Sequence, residues 1–370
     1  PTPSTALVPD AASASPSKPS PPALLRSLAV PASFFGCAAL LGLGIGLGGM
    51  TDPRKLNAFM NLNNLATGHW DPAILIVFAT ALGVTTATYP LTVKLMKKPL
   101  LAEEFDIPKK TEIDARLVAG AAAFGVGWAI TGLCPGPALV AAVSGDPKTL
   151  TFVAFMTLAM GVAKRITAPH DPAKAAKHAN ASSLALLSAT ALAAVGAIVA
   201  AAMGSPDSSA LAGPAPPLDP VVWHAAAGGA MIGGAVAGML ALTGEILGIS
   251  GMVSGVYSPN QGAQYKTNRG LFVAGMLAAG GILSRVFPAT IQNFYVAPLP
   301  VFMVGGALVG AGTVVGCGCT SGHGLAGNGR LSKRSMVATA VFFGTNVLVS
   351  SVLFKVVGMG AGWIAALVGK

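Results

Sequence analysis

Two short segments hold the residue types best able to do chemistry. The first is Gly316-Cys-Gly-Cys-Thr-Ser-Gly-His-Gly324. Within it Cys317, Cys319, Thr320, Ser321 and His323 can each donate a hydrogen bond, and the glycines leave backbone N–H groups accessible. The second is Thr131-Gly-Leu-Cys-Pro-Gly-Pro-Ala138. Two prolines and two glycines within eight residues cannot continue a regular helix. Pro135 and Pro137 suit the first turn of a new short helix, with Cys134 at its N-terminus. Free N–H groups and the positive end of the helix dipole favour an anion there, beside Cys134 and Gly136. Several chemistries compete for the Gly316–Gly324 segment. A metal site built on Cys319 and His323 is short of ligands, and no paired CxxC spacing points to zinc. Redox or nucleophilic work through an acidified thiol and a purely structural turn both stay open. A binding site for a passing anion uses the most of these donors. For Thr131–Ala138 the plain alternative is a kinked helix with an inert cysteine.

Two further breaks, Gly48-Gly-Met-Thr-Asp-Pro53 and Gly248-Ile-Ser-Gly-Met-Val-Ser254, end apolar runs. They are expected beside the cysteine segments, supplying glycine backbone and the thioethers of Met50 and Met252. Ordinary helix ends with packing methionines are the alternative. Glu245 is the single acid in its apolar neighbourhood, either on an ion pathway or at an interface. His69, Trp70 and Trp223 suit interfacial anchors, and His224 a structural place.

The elements that must hold these segments are membrane helices. Of 370 residues 53% are hydrophobic and only 10% charged, against roughly 25% charged in a soluble domain. Mean hydropathy is +0.68. Forty-seven glycines suit helices whose backbones approach closely in lipid. A spanning helix needs about 20 mostly apolar residues, and such runs predict helices near 28–50, 72–93, 113–132, 149–166, 181–203, 221–245, 270–287, 299–316 and 335–356. The expected fold is an all-α polytopic bundle of about nine transmembrane helices with short re-entrant helices. A tail over residues 1–27, rich in Pro, Ser and Ala, reads as disordered. The net charge of +10 is scattered in clusters between apolar runs, without a continuous basic face, which excludes nucleic acid as the partner. The lipid bilayer is the partner instead.

Irregular backbone in a membrane must be buried in protein or line a polar cavity. Treating the segments around 133–144 and 317–329 as dipping in and returning, a cytoplasmic N-terminus puts sixteen Lys and Arg inside. Only Arg54, Lys55 and Lys148 then sit in loops on the far side. The positive-inside bias supports that orientation. The same layout exposes an internal repeat: helix, Gly49-Met50, helix, helix, Cys134, helix; then helix, Gly251-Met252, helix, helix, Cys319, helix. With helix 181–203 between them, the halves 28–180 and 204–370 enter from opposite sides, a common transporter plan.

These segments resemble the YeeE/YedE family of membrane proteins over roughly 30–165 and 221–356. The second half is similar to the family's signature repeat through Gly316–Gly324 followed by Arg330-Leu-Ser-Lys-Arg-Ser335. The first half is similar to a partner module through Gly48–Pro53, Trp70-Asp-Pro72 and Gly132–Pro137, as though two modules were fused. The resemblance implies thiosulfate uptake through the cell membrane, without enzymatic turnover, cofactor or metal. The thiols passing the ion along would be Cys134 and Cys319, with Cys317 as a further candidate. Family members with a third central cysteine differ from this chain, whose Cys37 lies within the first helix. A soluble sulfurtransferase is the candidate protein partner. Covalent handling of sulfur at Cys319, or transport of another sulfur or selenium species, are the alternatives.

Overall fold

A computed structural model describes residues 23–167, 222–258, 261–291 and 297–368. The helix expected at 181–203, most of the tail 1–27 and the loop 204–220 lie outside the described residues. In chain order the helices are α1 Ala23–Leu47, α2 Pro53–Met60, α3 Asn63–Thr67, α4 Ala73–Met96, α5 Ala115–Thr131, α6 Pro135–Ala141 and α7 Pro147–Thr167. Then come α8 Val222–Thr243, α9 Ile249–Val256, α10 Ala263–Val286, α11 Leu299–Val315, the π-helical α12 Thr320–Gly327 and α13 Lys333–Val368. Seven stretches are long and apolar enough to cross a membrane, and the α11–α12 pair, bent by 43°, makes an eighth if it is one span. The fold is a polytopic helical bundle. Leu75, Leu91, Leu95, Leu158 and Leu348 are exposed on its outside, where lipid replaces water as their solvent.

The first broken segment does not turn back as expected. Ala115–Ser144 forms one 30-residue apolar stretch, so α6 carries the direction of α5 onward. Loop sides are unaffected, because the path still emerges before Lys148. Local signals set the ends of α5. Asp114 caps its N-terminus by accepting from the Leu117 amide at 2.9 Å, and Gly132 closes it with φ +71°. Only glycine fits there, since a Cβ would lie 2.6 Å from that of Pro53 and the left-handed region disfavours other residues.

Packing follows a pattern that survives exchange of the two halves. Helix α1 lies against α10 as α8 lies against α4, and α7 against α11 as α13 against α5. The remaining major pairs are α1 with α8 and α5 with α11, each joining a helix to its own counterpart. Both counterpart pairs run antiparallel. Cys37 sits 3.7 Å from where a Gly238 Cβ would be, while a Cβ on Gly44 would meet the Gly228 carbonyl at 2.7 Å. Likewise a Cβ on Gly120 would fall 2.2 Å from the Gly316 nitrogen, and one on Gly127 would meet the Gly305 carbonyl at 2.8 Å. Close backbone approach of this kind is how membrane helices gain packing energy without a hydrophobic drive. Phe124 stacks on Trp128, and both meet Phe342, filling the α5–α13 contact.

Candidate functional site

Both broken segments put a cysteine at the cap of a short helix. Cys134 precedes α6 and Cys319 precedes α12, each in extended backbone conformation and neither side chain capping a backbone N–H of its own helix. The thiols are therefore left for other partners. Both residues are buried and they meet across the two halves: the Thr320 hydroxyl donates to the Cys134 sulfur at 3.8 Å. Around Cys319, the Ser321 hydroxyl lies at 3.2 Å from the sulfur and the Ser250 amide donates to it at 3.5 Å. The Ile249 amide donates to the Ser321 oxygen at 3.0 Å. These two amides belong to the first turn of α9, where four N–H groups lack partners within the helix. The break after Gly248 thus delivers backbone donors to the cysteine segment.

A central cavity opens on this cluster. Cys134, Thr320 and Ser321 form its polar wall; Met50, Ile45, Phe78 and Ile249 are among the apolar side chains opposite. Gly136 underlies it, since a Cβ there would be 2.8 Å from Ile249 Cδ1 and 2.9 Å from Ile45 Cδ1. The centre of a water-sized sphere has about 20 Å³ of room, enough for one or two waters. A five-atom ion would fit only if the walls parted.

Three of the expected site residues stand elsewhere. Cys317 is exposed; its φ of +59° turns the chain so that it diverges from Cys319, and its thiol points back to the Val315 carbonyl at 3.7 Å. His323 is buried, with Nε2 at 3.0 Å from the Gly316 carbonyl and Nδ1 at 3.0 Å from Ser335 Oγ. A carbonyl can only accept, so Nε2 carries the proton, and in the neutral ring Nδ1 accepts from Ser335. The imidazole is a latch joining the end of α11, α12 and α13, with neither nitrogen left for the cavity. Met252 is buried within α9 without lining the cavity. The ring of Ile45, Phe78 and Ile249 escaped the sequence reading, because nothing sets these aliphatic and aromatic residues apart from their neighbours.

The other candidate charges are accounted for. Glu245 lies beyond the end of α8 and pairs with Arg269 at 2.6 Å, whose guanidinium also covers the Tyr265 ring. It is an anchored ion pair off the cavity. Trp223 is exposed at the start of α8 against His224, and the Trp70 indole donates to the Phe59 carbonyl at 2.8 Å. Among the described residues no group of three or more His, Cys, Asp or Glu gathers to hold a metal ion.

Residues 32–172 match a family of unknown function, DUF6691. A probable transporter of Xylella fastidiosa (strain Temecula1) is 43% identical over 127 residues, covering 34% of this chain and 83% of the relative. A probable transporter from strain 9a5c of the same species is 39% identical over 120 residues, 32% of this chain and 86% of the relative. Each relative is matched along most of its length by about a third of this chain.

Proposed function

Since the chain belongs to the family of these probable transporters, we propose that it carries a small sulfur-containing anion, thiosulfate first among them, into the cell. The chain is a multi-pass membrane protein, and transport is the activity its relatives' names support. The observation that carries the finer reading is a small cavity furnished with hydroxyls, with the Cys134 thiol in its wall and Cys319 directly behind the lining Thr320 and Ser321. Thiosulfate is a dianion with one soft terminal sulfur and three hard oxygens. Neutral thiols at Cys134 and Cys319 donate weakly to the sulfur, while Thr320, Ser321 and backbone N–H groups meet the oxygens. Thiolates would repel a dianion, so both thiols stay protonated during passage. No Lys or Arg lines the cavity, which suits permeation, because a site must bind weakly enough to release. Each short helix end contributes about 0.3–2 kcal/mol toward an anion, offsetting part of the dehydration cost.

The halves 28–180 and 204–370 act as an inverted repeat about this constriction, and the antiparallel counterpart pairs support that. The N-terminus is cytoplasmic in the plasma membrane, on the charge bias of the loops. The test is uptake of labelled thiosulfate into proteoliposomes by wild type, Cys134→Ala and Cys319→Ala. Each substitution is expected to reduce uptake at least tenfold while the protein stays folded; unchanged uptake in both would sink the site. Competition by unlabelled sulfite, sulfide and selenium analogues then ranks the substrates.

A further inference from the structure

The buried face of α4 does more than wall the cavity. Val77 and Ala81 line it, and at four-residue steps the same face continues to Thr85 and Tyr89, both fully buried. Eight residues of α-helix separate Ala81 from Tyr89, about 12 Å along the axis. Tyr89 is 1% exposed, yet its hydroxyl has no hydrogen-bond partner. A buried phenol normally finds one, since leaving it unmade carries the full desolvation penalty.

The opposite wall leads to the same place. Thr320, Ser321 and Leu325 of α12 line the cavity, and the chain then passes through Gly329 to Arg330. Gly329 lies so close to α4 that a Cβ would be 2.9 Å from Thr85 Oγ1. The half-buried Arg330 follows Gly329 directly, at the Thr85 level of α4, one helix turn before Tyr89. Its Nε donates to the Ala326 carbonyl at 3.1 Å, and among the described residues no carboxylate pairs with it. An uncompensated guanidinium about one helix turn from a buried, unused O–H donor lacks one component, an acceptor carrying negative charge. A water would satisfy the phenol but leave the cation without a counter-charge.

We propose that Tyr89 and Arg330 form a second anion site, displaced along α4 from the thiol cavity toward Lys94, Lys97 and Lys98, that takes a small tetrahedral oxyanion. The planar guanidinium engages two oxygens of such an ion and the Tyr89 hydroxyl donates to another. Its place as the inner station of a transport path rests on the anion-transport reading; the binding itself does not.

Purified full-length chain in lipid nanodiscs, titrated with ³⁵S-sulfate and ³⁵S-thiosulfate, tests this. Arg330→Gln is expected to weaken binding of both anions about tenfold or more, as removal of a charged hydrogen-bond donor does. Tyr89→Phe should weaken it severalfold with no loss of thermal stability, because the hydroxyl has no partner to lose, and Arg330→Lys should recover part of the affinity. A Cys134→Ala/Cys319→Ala double variant should retain this binding even if thiosulfate uptake fails, separating the two sites. Wild-type affinity in Tyr89→Phe or in Arg330→Gln overturns the proposal. So does destabilisation of Tyr89→Phe, which would mean the hydroxyl is already engaged within the fold. If uptake is indifferent to both thiols while Arg330→Gln still loses binding, the thiol reading fails and this site stands.

Discussion

Replacing His323 by alanine separates a ligand from a latch. Within the GCGCTSGHG run a histidine looks like a substrate donor, yet its two nitrogens are committed to Gly316 O and Ser335 Oγ, each at 3.0 Å. The substitution strips the Gly316 carbonyl of its imidazole donor and the Ser335 hydroxyl of its imidazole partner, in a place where the histidine is only 7% exposed. Each group left unsatisfied costs about 1–3 kcal/mol, so His323→Ala is expected to lose about 2–6 kcal/mol before any cavity is counted. Gly318 packs directly on the ring, where a Cβ would stand 2.6 Å from Cδ2, and it too loses its support. The assay pairs thermal unfolding of the purified protein with thiosulfate uptake per folded molecule. Lower stability with a KM within about twofold of wild type is the expected result, for a group that never touches substrate. A variant as stable as wild type whose KM rises tenfold would refute the latch and restore His323 to the cavity.

Two other perturbations address the frame. Gly120→Leu forces a side chain into the Gly316 backbone, 2.2 Å from the first added carbon; overpacking of about 3 kcal/mol or more should abolish the monodisperse peak in detergent size-exclusion chromatography, whereas Gly83→Leu, with nothing within 4 Å, should leave it intact. Asp114 is raised by its partial burial but lowered further by Lys110, the Leu117 amide and Arg334, settling at about 2. Its folded value is below its unfolded one, so the stabilisation is present above about pH 4 and lost as pH falls toward 2. Asn keeps the helix cap, so Asp114→Asn should lower the melting temperature at pH 6 and lose less than wild type between pH 4 and 2.

The spans were legible because uncharged apolar runs have few other readings: 72–93 became Ala73–Met96 and 299–316 became Leu299–Val315. At one slipped boundary a charge was to blame, while the last helix ran on from 356 to Val368 through uncharged residues. Helix α10 begins at Ala263, not near 270, because Arg269 is neutralised by Glu245 and covers Tyr265, so a helix turn carries a cation that reads as loop. Cys134 and Cys319 were legible through the prolines and glycines that force helix starts beside them. The direction of Cys317 and His323 was not, since it depends on one positive φ and on a carbonyl and a hydroxyl distant along the chain. Tyr89 and Arg330 went unpaired in the reading for the same reason: 241 positions separate them in the sequence.

The two cysteine-capped helices are not mechanical equals. Helix α6 prolongs α5 in a single stretch, while α12 hangs from a 43° bend and is wound as a π-helix. Such a turn holds one residue more than an α turn, a register that can be shed. Passing that residue onward would rotate every following side chain by about 100°, moving Leu325 within the cavity wall. A slip of one peptide unit would therefore re-aim the side chains of one cavity wall while leaving the wall built on α6 in place.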